Sequence, residues 1–259
     1  MSAAKDFEYP NDVIFPLGDL YSDEPPLESE LHLRQIILLL QSLELWWRNR
    51  NDFYAAGNLT IYYSQRQKRS EEFRGPDFFV VLGCERKIRK SWVVWEEDGK
   101  YPNIIVELLS NSTAATDKGL KKQIFQDIFR TPEYFWFDPN NLEFAGFTLI
   151  GGTYEPIEPN SQRWLWSQQL NLYLGVYEHK LRYFSAEGNL IPTPEEVAEQ
   201  ERQRAEQERQ RAEQERQRAE QERQRAEQET QRAEQERQRA ERLAAKLREL
   251  NIDPENLSL

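Results

Sequence analysis

Sulfur and imidazole are scarce in this 259-residue chain, which has one cysteine (Cys84), one methionine and two histidines (His32 and His179). A single cysteine excludes an intramolecular disulfide, and neither a zinc-type cysteine cluster nor a histidine cluster can be assembled from such a set. The thiol count fits a reducing cytoplasm. Long apolar runs are missing as well. No stretch approaches the ~18 residues of a membrane span, and the acidic start MSAAKDFEYPNDVIFPLGDL lacks the charged-then-apolar layout of a signal peptide. The expectation is a cytoplasmic protein with no membrane partner. Aromatic and branched apolar residues are also absent from most of the last quarter, where Val197 is the only one between Ile191 and Leu243. A core must therefore come from about the first 190 residues, one domain's worth.

The net charge of −11 opposes a general polyanion binder. Its distribution leaves two basic stretches. QRQKRSEEFRG carries Arg66, Lys68, Arg69 and Arg74, and ERKIRKSW carries Arg86, Lys87, Arg89 and Lys90. Each reads either as a local basic rim or as a solvated loop face.

Residues 1–27, rich in acids and with prolines at 10, 16, 25 and 26, read as an extended arm. A domain follows over 28–190. It opens with a helix in which Leu33, Ile36, Leu40, Leu43 and Trp47 alternate spacings of three and four. NLTIYYS, PDFFVVLG, SWVVW and NIIVELL then read as strands, a helix is expected at about 114–129, and EYFWFDP and EFAGFTLIGGTYEPI supply further strands. Short strands or turns in WLWSQQLNLYLGVYEHKLRYF complete the core. This order predicts an α+β domain with a mixed sheet.

Residues 191–250 form a long charged helix, and 251–259 a short tail. AEQERQR recurs at a period of seven from Ala198 to Arg239, with Thr230 replacing one arginine. Alanine alone recurs at an apolar seam position, so the coiled-coil seam is weak. Pairs such as Glu201 to Arg204 and Arg204 to Glu208 support an exposed helix instead, isolated or weakly self-associating. Leu243, Leu247 and Leu250 make a short apolar patch near its end, the expected contact point for a protein partner.

One residue stands out in the strand IIVELL, where Glu107 interrupts an apolar run. Burying an ionised carboxylate costs several kcal/mol unless something compensates it. Glu107 is either partnered near the strand's open end or part of a site. Asp77 opens PDFFVV, and if the two strands are neighbours the carboxylates converge. Two carboxylates make an oxygen site suited to Mg²⁺. On the helix TDKGLKKQIFQDIF, Lys121 shares the sheet-facing stripe with Ile124, Phe125 and Ile128, while Lys122 points about 100° away into solvent. Two metal-binding carboxylates and one ammonium are the minimum kit for phosphodiester hydrolysis. A lysine snorkelling at the core's edge is the structural alternative for Lys121.

The blocks GPDFFVV, PNIIVELLSNSTAATDKGLKKQIF and TPEYFWFDP resemble the Uma-two family of restriction endonucleases, in the PD-(D/E)XK nuclease superfamily, over about residues 28–190. The resemblance implies a restriction-endonuclease-like fold, with a helix-flanked mixed sheet, and a magnesium (or manganese) site held by Asp77 and Glu107. The superfamily's lysine belongs at position 109, where this chain has Leu109; the family pattern moves it to Lys121. Phe125 stands where many relatives carry tyrosine. Asp117, Ser112 and Thr113 cap the helix or orient the site, Glu133 and Asp138 are supporting or turn residues, and Glu30 or Glu44 is a candidate third carboxylate. Two functions follow. One is a Mg²⁺-dependent DNA endonuclease with Asp77, Glu107 and Lys121 as its catalytic residues and the basic loops on phosphates. The other is an inactive nuclease-fold module that acts as a scaffold through its long helix.

Overall fold

In a computed structural model the described residues are 21–22, 29–63, 73–110 and 114–249. Most of the expected arm, most of the 66–74 basic stretch, Ser112, Thr113, Leu250 and the tail lie outside them. The chain divides into two compact units, Met1–Glu196 and Val197–Leu259.

The first unit is an α+β fold on a mixed six-stranded sheet. Its strands are β1 (Phe53–Gly57), β4 (Phe78–Leu82), β6 (Ile104–Leu108), β7 (Glu133–Phe137), β8 (Phe144–Ile150) and β9 (Thr153–Pro156), in that spatial order. The β6–β7 pair is parallel and the others antiparallel. Two three-stranded sheets accompany it. One joins β2 (Ile61–Tyr62), β3 (Phe73–Arg74) and β5 (Trp92–Val93); the other joins β10 (Leu165–Ser167), β11 (Leu172–Tyr177) and β12 (Lys180–Phe184).

Side chains alternate across the main sheet, so each face has its own core. Ile104, Val106 and Leu108 point into one with α1 (Glu30–Trp46) and the β10–β12 sheet. Ile105 and Leu109 point into the other with Ile61 and Trp92, and with Ile124 and Phe125 from the segment after β6. Glu107, between Val106 and Leu108 and fully buried, belongs to this second face.

In α1 the buried stripe is His32, Gln35, Ile36, Leu39 and Leu43, with Trp47 just beyond. Leu33, expected on that stripe, is exposed. Ile36, Leu43 and Trp47 are buried as expected and Leu40 is half-buried, while Leu39 and the polar His32 and Gln35 widen the inner face. Ser29 caps its start, its hydroxyl accepting from the His32 N–H.

FYAAG shows no strand alternation, yet it forms β1, and the strand expected over NLTIYYS shrinks to Ile61–Tyr62. Close packing explains part of this. A Cβ on Gly57 would meet Ile36 Cγ2 at 2.1 Å, so glycine there lets α1 lie directly on the strand.

The helix expected at 114–129 is composite: α2 (Ala114–Thr116), a π turn over Asp117–Lys121, and α3 (Lys122–Asp127). In the second unit, α4 (Pro194–Glu249) has begun before the boundary and runs on with no buried residue. Its pairs are chiefly made by the first glutamate of each repeat. Glu199 takes Arg202 and Gln203, rather than the expected Glu201 to Arg204 pair. Among the described residues, no helix is long and apolar enough to cross a membrane.

Candidate active site

The antiparallel pairing of β4 with β6 sets Phe78 opposite Val106, which carries Asp77 alongside Glu107 and Leu108. Asp77 Oδ2 accepts the Leu108 N–H at 2.7 Å, and the Asp77 N–H approaches Glu107 Oε2 at 3.4 Å. The expected convergence of these two carboxylates at one end of the sheet is therefore what the register produces.

From the second face, Lys121 brings its ammonium to the same point, with Nζ 3.2 Å from Glu107 Oε2 and 2.8 Å from Asp117 Oδ1. Its side chain is 21% exposed, against 0% for Glu107 and 1% for Asp117. Lys118 and Lys121 lie in the π turn and Lys122 directly after it, and their i, i+3, i+4 spacing sets all three toward the sheet. Lys122, expected in solvent, is half-buried over the Phe147 ring, and Ile128, expected on the inner stripe, is 48% exposed.

Three carboxylates now face one lysine. Burial holds Glu107 well above the usual carboxylate range; Lys121 pulls it back, but Asp77 and Asp117 reinforce the rise. Burial raises Asp77 as well, against the pull of Lys121 and the Leu108 N–H. For Lys121 burial acts downward, and the carboxylates of Glu107, Asp117 and Asp77 outweigh it, so the ammonium stays protonated. Glu107 Oε1 is buried with no hydrogen-bond partner, as is Asp117 Oδ2. The negative charge exceeds what Lys121 neutralises, and a further cation or a proton completes the balance.

An oxygen-only pair with an orphaned, buried acceptor suits a hard divalent cation, which Mg²⁺ takes with one or two carboxylates plus waters. Among the described residues, no three histidine, cysteine, aspartate or glutamate side chains come together as a metal cluster. Asp77 and Glu107 are the two carboxylates that could hold such an ion.

Several supporting residues stand elsewhere than expected. Asp117 makes no cap and is the third carboxylate of the group. Glu30 is exposed and pairs with Arg34, and Glu44 pairs with Arg86, so neither supplies that carboxylate. Glu133 lies at the far end of β7, opposite Ile104, where it accepts from the Ser167 hydroxyl and from the N–H groups of Gln168 and Gln169. Asp138 is a turn residue that accepts the Asn140 N–H. Leu109 is buried in the second core, and Phe125 packs against Phe129 and Tyr134 with ring centroids 5.2 and 5.6 Å apart. A tyrosine hydroxyl still reaches the segment, because Tyr134 donates to the Asp117 carbonyl at 2.9 Å.

Of the basic stretch at 86–90, Arg86 pairs with Glu44 and lies over the Phe53 ring. Arg89 is held by both carboxylate oxygens of Glu97 and lies over Tyr54 and Trp92. Both are committed to the fold. β4 also runs away from Asp77, and Arg86 follows its far end.

His32, which no sequence pattern singled out, braces the site from the first face. Its Nε2 donates to the Leu108 carbonyl at 3.2 Å, which leaves Nδ1 to accept from the Ser29 hydroxyl at 2.7 Å. The N–H of that same Leu108 donates to Asp77.

The model of the Uma2 family, described as "Putative restriction endonuclease", matches residues 6–177. The chain belongs to this family. This Uma2 chain is also similar to a crystal structure of a putative nuclease belonging to DUF820 from Anabaena variabilis. That likeness has 13% identity and a TM-score of 0.42, and it covers 56% of this chain and 76% of the other. No curated protein matches.

Proposed function

We propose that this protein is a Mg²⁺-dependent endonuclease, with Mn²⁺ as an alternative ion, that hydrolyses phosphodiester bonds in DNA. The observation that carries the reading is the group formed by Asp77, Glu107 and Lys121, in which the buried Glu107 and the half-buried Asp77 exceed their one shared ammonium and Glu107 Oε1 has no partner. Asp77 and Glu107 would hold the ion. When bound, it supplies charge neutralisation at the phosphate and lowers the pKa of a coordinated water.

The chain's own residues do the rest. The Leu108 N–H orients Asp77, and burial excludes bulk water from Glu107, which strengthens every charge interaction there. Lys121, held protonated by its carboxylates, acts as a donor that orients the attacking water or the phosphate oxygen and does not serve as a base.

The test is nicking of supercoiled plasmid in Mg²⁺ or Mn²⁺, beside calorimetric titration of the same ions into the wild type and Glu107→Ala. Ion binding and nicking that both vanish in the variant, with folding intact, support the reading. Silence in the wild type sinks it. That result favours the scaffold reading, which rests on the closed contacts of Lys121 with Glu107 and Asp117 and on Leu109 at the superfamily's lysine position.

A further inference from the structure

The second face of the sheet carries a cationic surface that the proposed chemistry does not use. Lys122 Nζ lies 3.3 Å from the centroid of the Phe147 ring and 5.4 Å from that of Trp136. Lys118 Nζ lies 5.5 Å from the Trp136 ring and is held by both oxygens of Glu143 at 2.7 and 2.8 Å. Trp136 is the register partner of Glu107 across the parallel β6–β7 pair, and its indole N–H is buried without a partner.

Lys122 differs from the other cations near the site. Lys121 is neutralised by Glu107 and Asp117, and Lys118 by Glu143. Lys122 has no carboxylate partner among the described residues, and burial alone pulls its ammonium below the ordinary lysine value. A cation that has lost part of its hydration, with only ring faces beneath it, has unused capacity for an anion.

Its position identifies the anion. Crossing the sheet in order, Asp77 precedes β4, Glu107 is on β6, Trp136 on β7 and Phe147 on β8. Neighbouring strands are ~4.8 Å apart and Phe147 pairs with Tyr134, two residues along β7 from Trp136, so the strand position under the Lys122 ammonium lies roughly 12–16 Å from the paired carboxylates. A DNA strand carries one charge per ~3.4 Å of helix axis. A strand whose reacting phosphate sits at Asp77 and Glu107 thus brings one of its next phosphates over Lys122.

Resting on the endonuclease reading, we propose that Lys122, with Lys118 beside it, is a substrate-positioning site that holds the phosphodiester backbone of DNA on the β7–β8 side of the carboxylate pair. In a chain of net charge −11 it supplies the local attraction that the overall balance opposes. Glu143 tempers Lys118, and Lys122 carries the larger share.

The experiment is fluorescence anisotropy of a labelled DNA duplex in EDTA, where no cleavage is needed, over a salt series, with wild type, Lys122→Gln, Lys122→Arg and Lys118→Gln. Lys122→Gln is expected to bind five- to tenfold more weakly at low salt, and its plot of log affinity against log salt to be shallower by about 0.9. Lys122→Arg keeps the charge and restores both. Thermal midpoints check folding, and if Lys122→Gln is unfolded the Lys118→Gln slope decides. An unchanged slope and affinity in the folded variants overturns the proposal, as does a wild type that binds no duplex. Plasmid nicking by the wild type beside an unchanged slope removes this contact and leaves the nuclease reading standing. The expected slope loss without any nicking does the reverse.

Discussion

Lys121 reaches Glu107 across the gap between the π turn and the sheet, Nζ to Oε2 at 3.2 Å, and it does so where the carboxylate has no exposure to solvent. Removing one partner of a buried pair costs more than the pair contributes, because the remaining charge is left uncompensated. Lys121→Met is expected to lose about 3–5 kcal/mol at neutral pH. The loss shrinks in acid. Without the ammonium, Glu107 rises further above its unfolded value, so the variant is penalised as pH climbs above the unfolded carboxylate value and relieved below it. Urea denaturation at several pH values measures this, and a deficit that does not change with pH refutes it.

Glu107→Gln should have the opposite effect on stability. Burial raises the folded pKa of Glu107, so the folded state binds a proton more tightly than the unfolded chain, and ionisation destabilises the fold as pH rises through that window. The amide removes this term while Asp117 still engages Lys121. The variant is expected to melt at or above the wild-type temperature at neutral pH while nicking falls by at least about a hundredfold, the size of a lost transition-state contact. A drop in both together would make Glu107 a structural residue. Sites that trade stability for chemistry show the first pattern.

His32 links α1 to the site, since the carbonyl of Leu108 accepts from its ring while the N–H of Leu108 donates to Asp77. His32→Ala leaves that carbonyl unpaired and a cavity behind α1, at a cost of about 1–3 kcal/mol. A purely structural role ends there. If the brace positions Asp77, the variant also weakens Mg²⁺ binding measured by calorimetry, whereas Ser29→Ala, which loses the helix cap, costs about 1 kcal/mol and affects ion binding less.

These contacts show what local sequence carries and what it does not. The convergence of Asp77, Glu107 and Lys121 was legible as geometry, because Glu107 is anomalous in a β-branched run, Asp77 opens a strand read as its neighbour, and the lysine shares a helical stripe with Ile124 and Phe125. The mixed sheet followed from strand and helix order. Of the two readings of Asp117, a cap or a residue that orients the site, its i,i+4 contact with Lys121 favours the second. Lys122 was expected in solvent, and its partner there is the Phe147 ring on β8, which no local pattern announces. β1 escaped because Ala55, Ala56 and Gly57 are poor strand formers, and their pairing is decided by β4 and the packing of Ile36. The link of His32 to the site and the partners of Glu133 have no local signature, since Leu108 lies 76 residues from His32 and Ser167 34 residues from Glu133.

The repeat of α4 makes a prediction of its own. Its contacts are exposed i,i+3 and i,i+4 pairs such as Arg223 with Glu227 and Arg237 with Glu234, each contributing a few tenths of a kcal/mol and screened by salt. A peptide spanning 198–249 is expected to be substantially helical at low salt, to lose helicity in 1 M salt, and to keep the same helicity over a hundredfold range of concentration. Circular dichroism reads all three. Helicity that rises with concentration would instead mean that the alanine seam, or the patch at Leu243, associates with a second copy.

Glu133 separates a buried carboxylate that serves the fold from one that serves chemistry. It stands opposite Ile104, three residues before the strand position facing Glu107, roughly 10 Å at ~3.3 Å per residue. Burial raises its pKa, while the Ser167 hydroxyl and the Gln168 and Gln169 N–H groups pull it down without cancelling the rise. The folded state therefore holds a proton more tightly than the unfolded chain, and stability falls as pH rises from the unfolded glutamate value through the folded one. Glu133→Gln keeps an acceptor for both N–H groups and drops the charge, so it should match or exceed wild-type stability at neutral pH, with the gap closing below about pH 4.5. Glu133→Ala strands those donors and is expected to cost about 1–3 kcal/mol. Ion binding stays unchanged in the glutamine variant, and a loss there would bring Glu133 back into the site from which its strand position separates it.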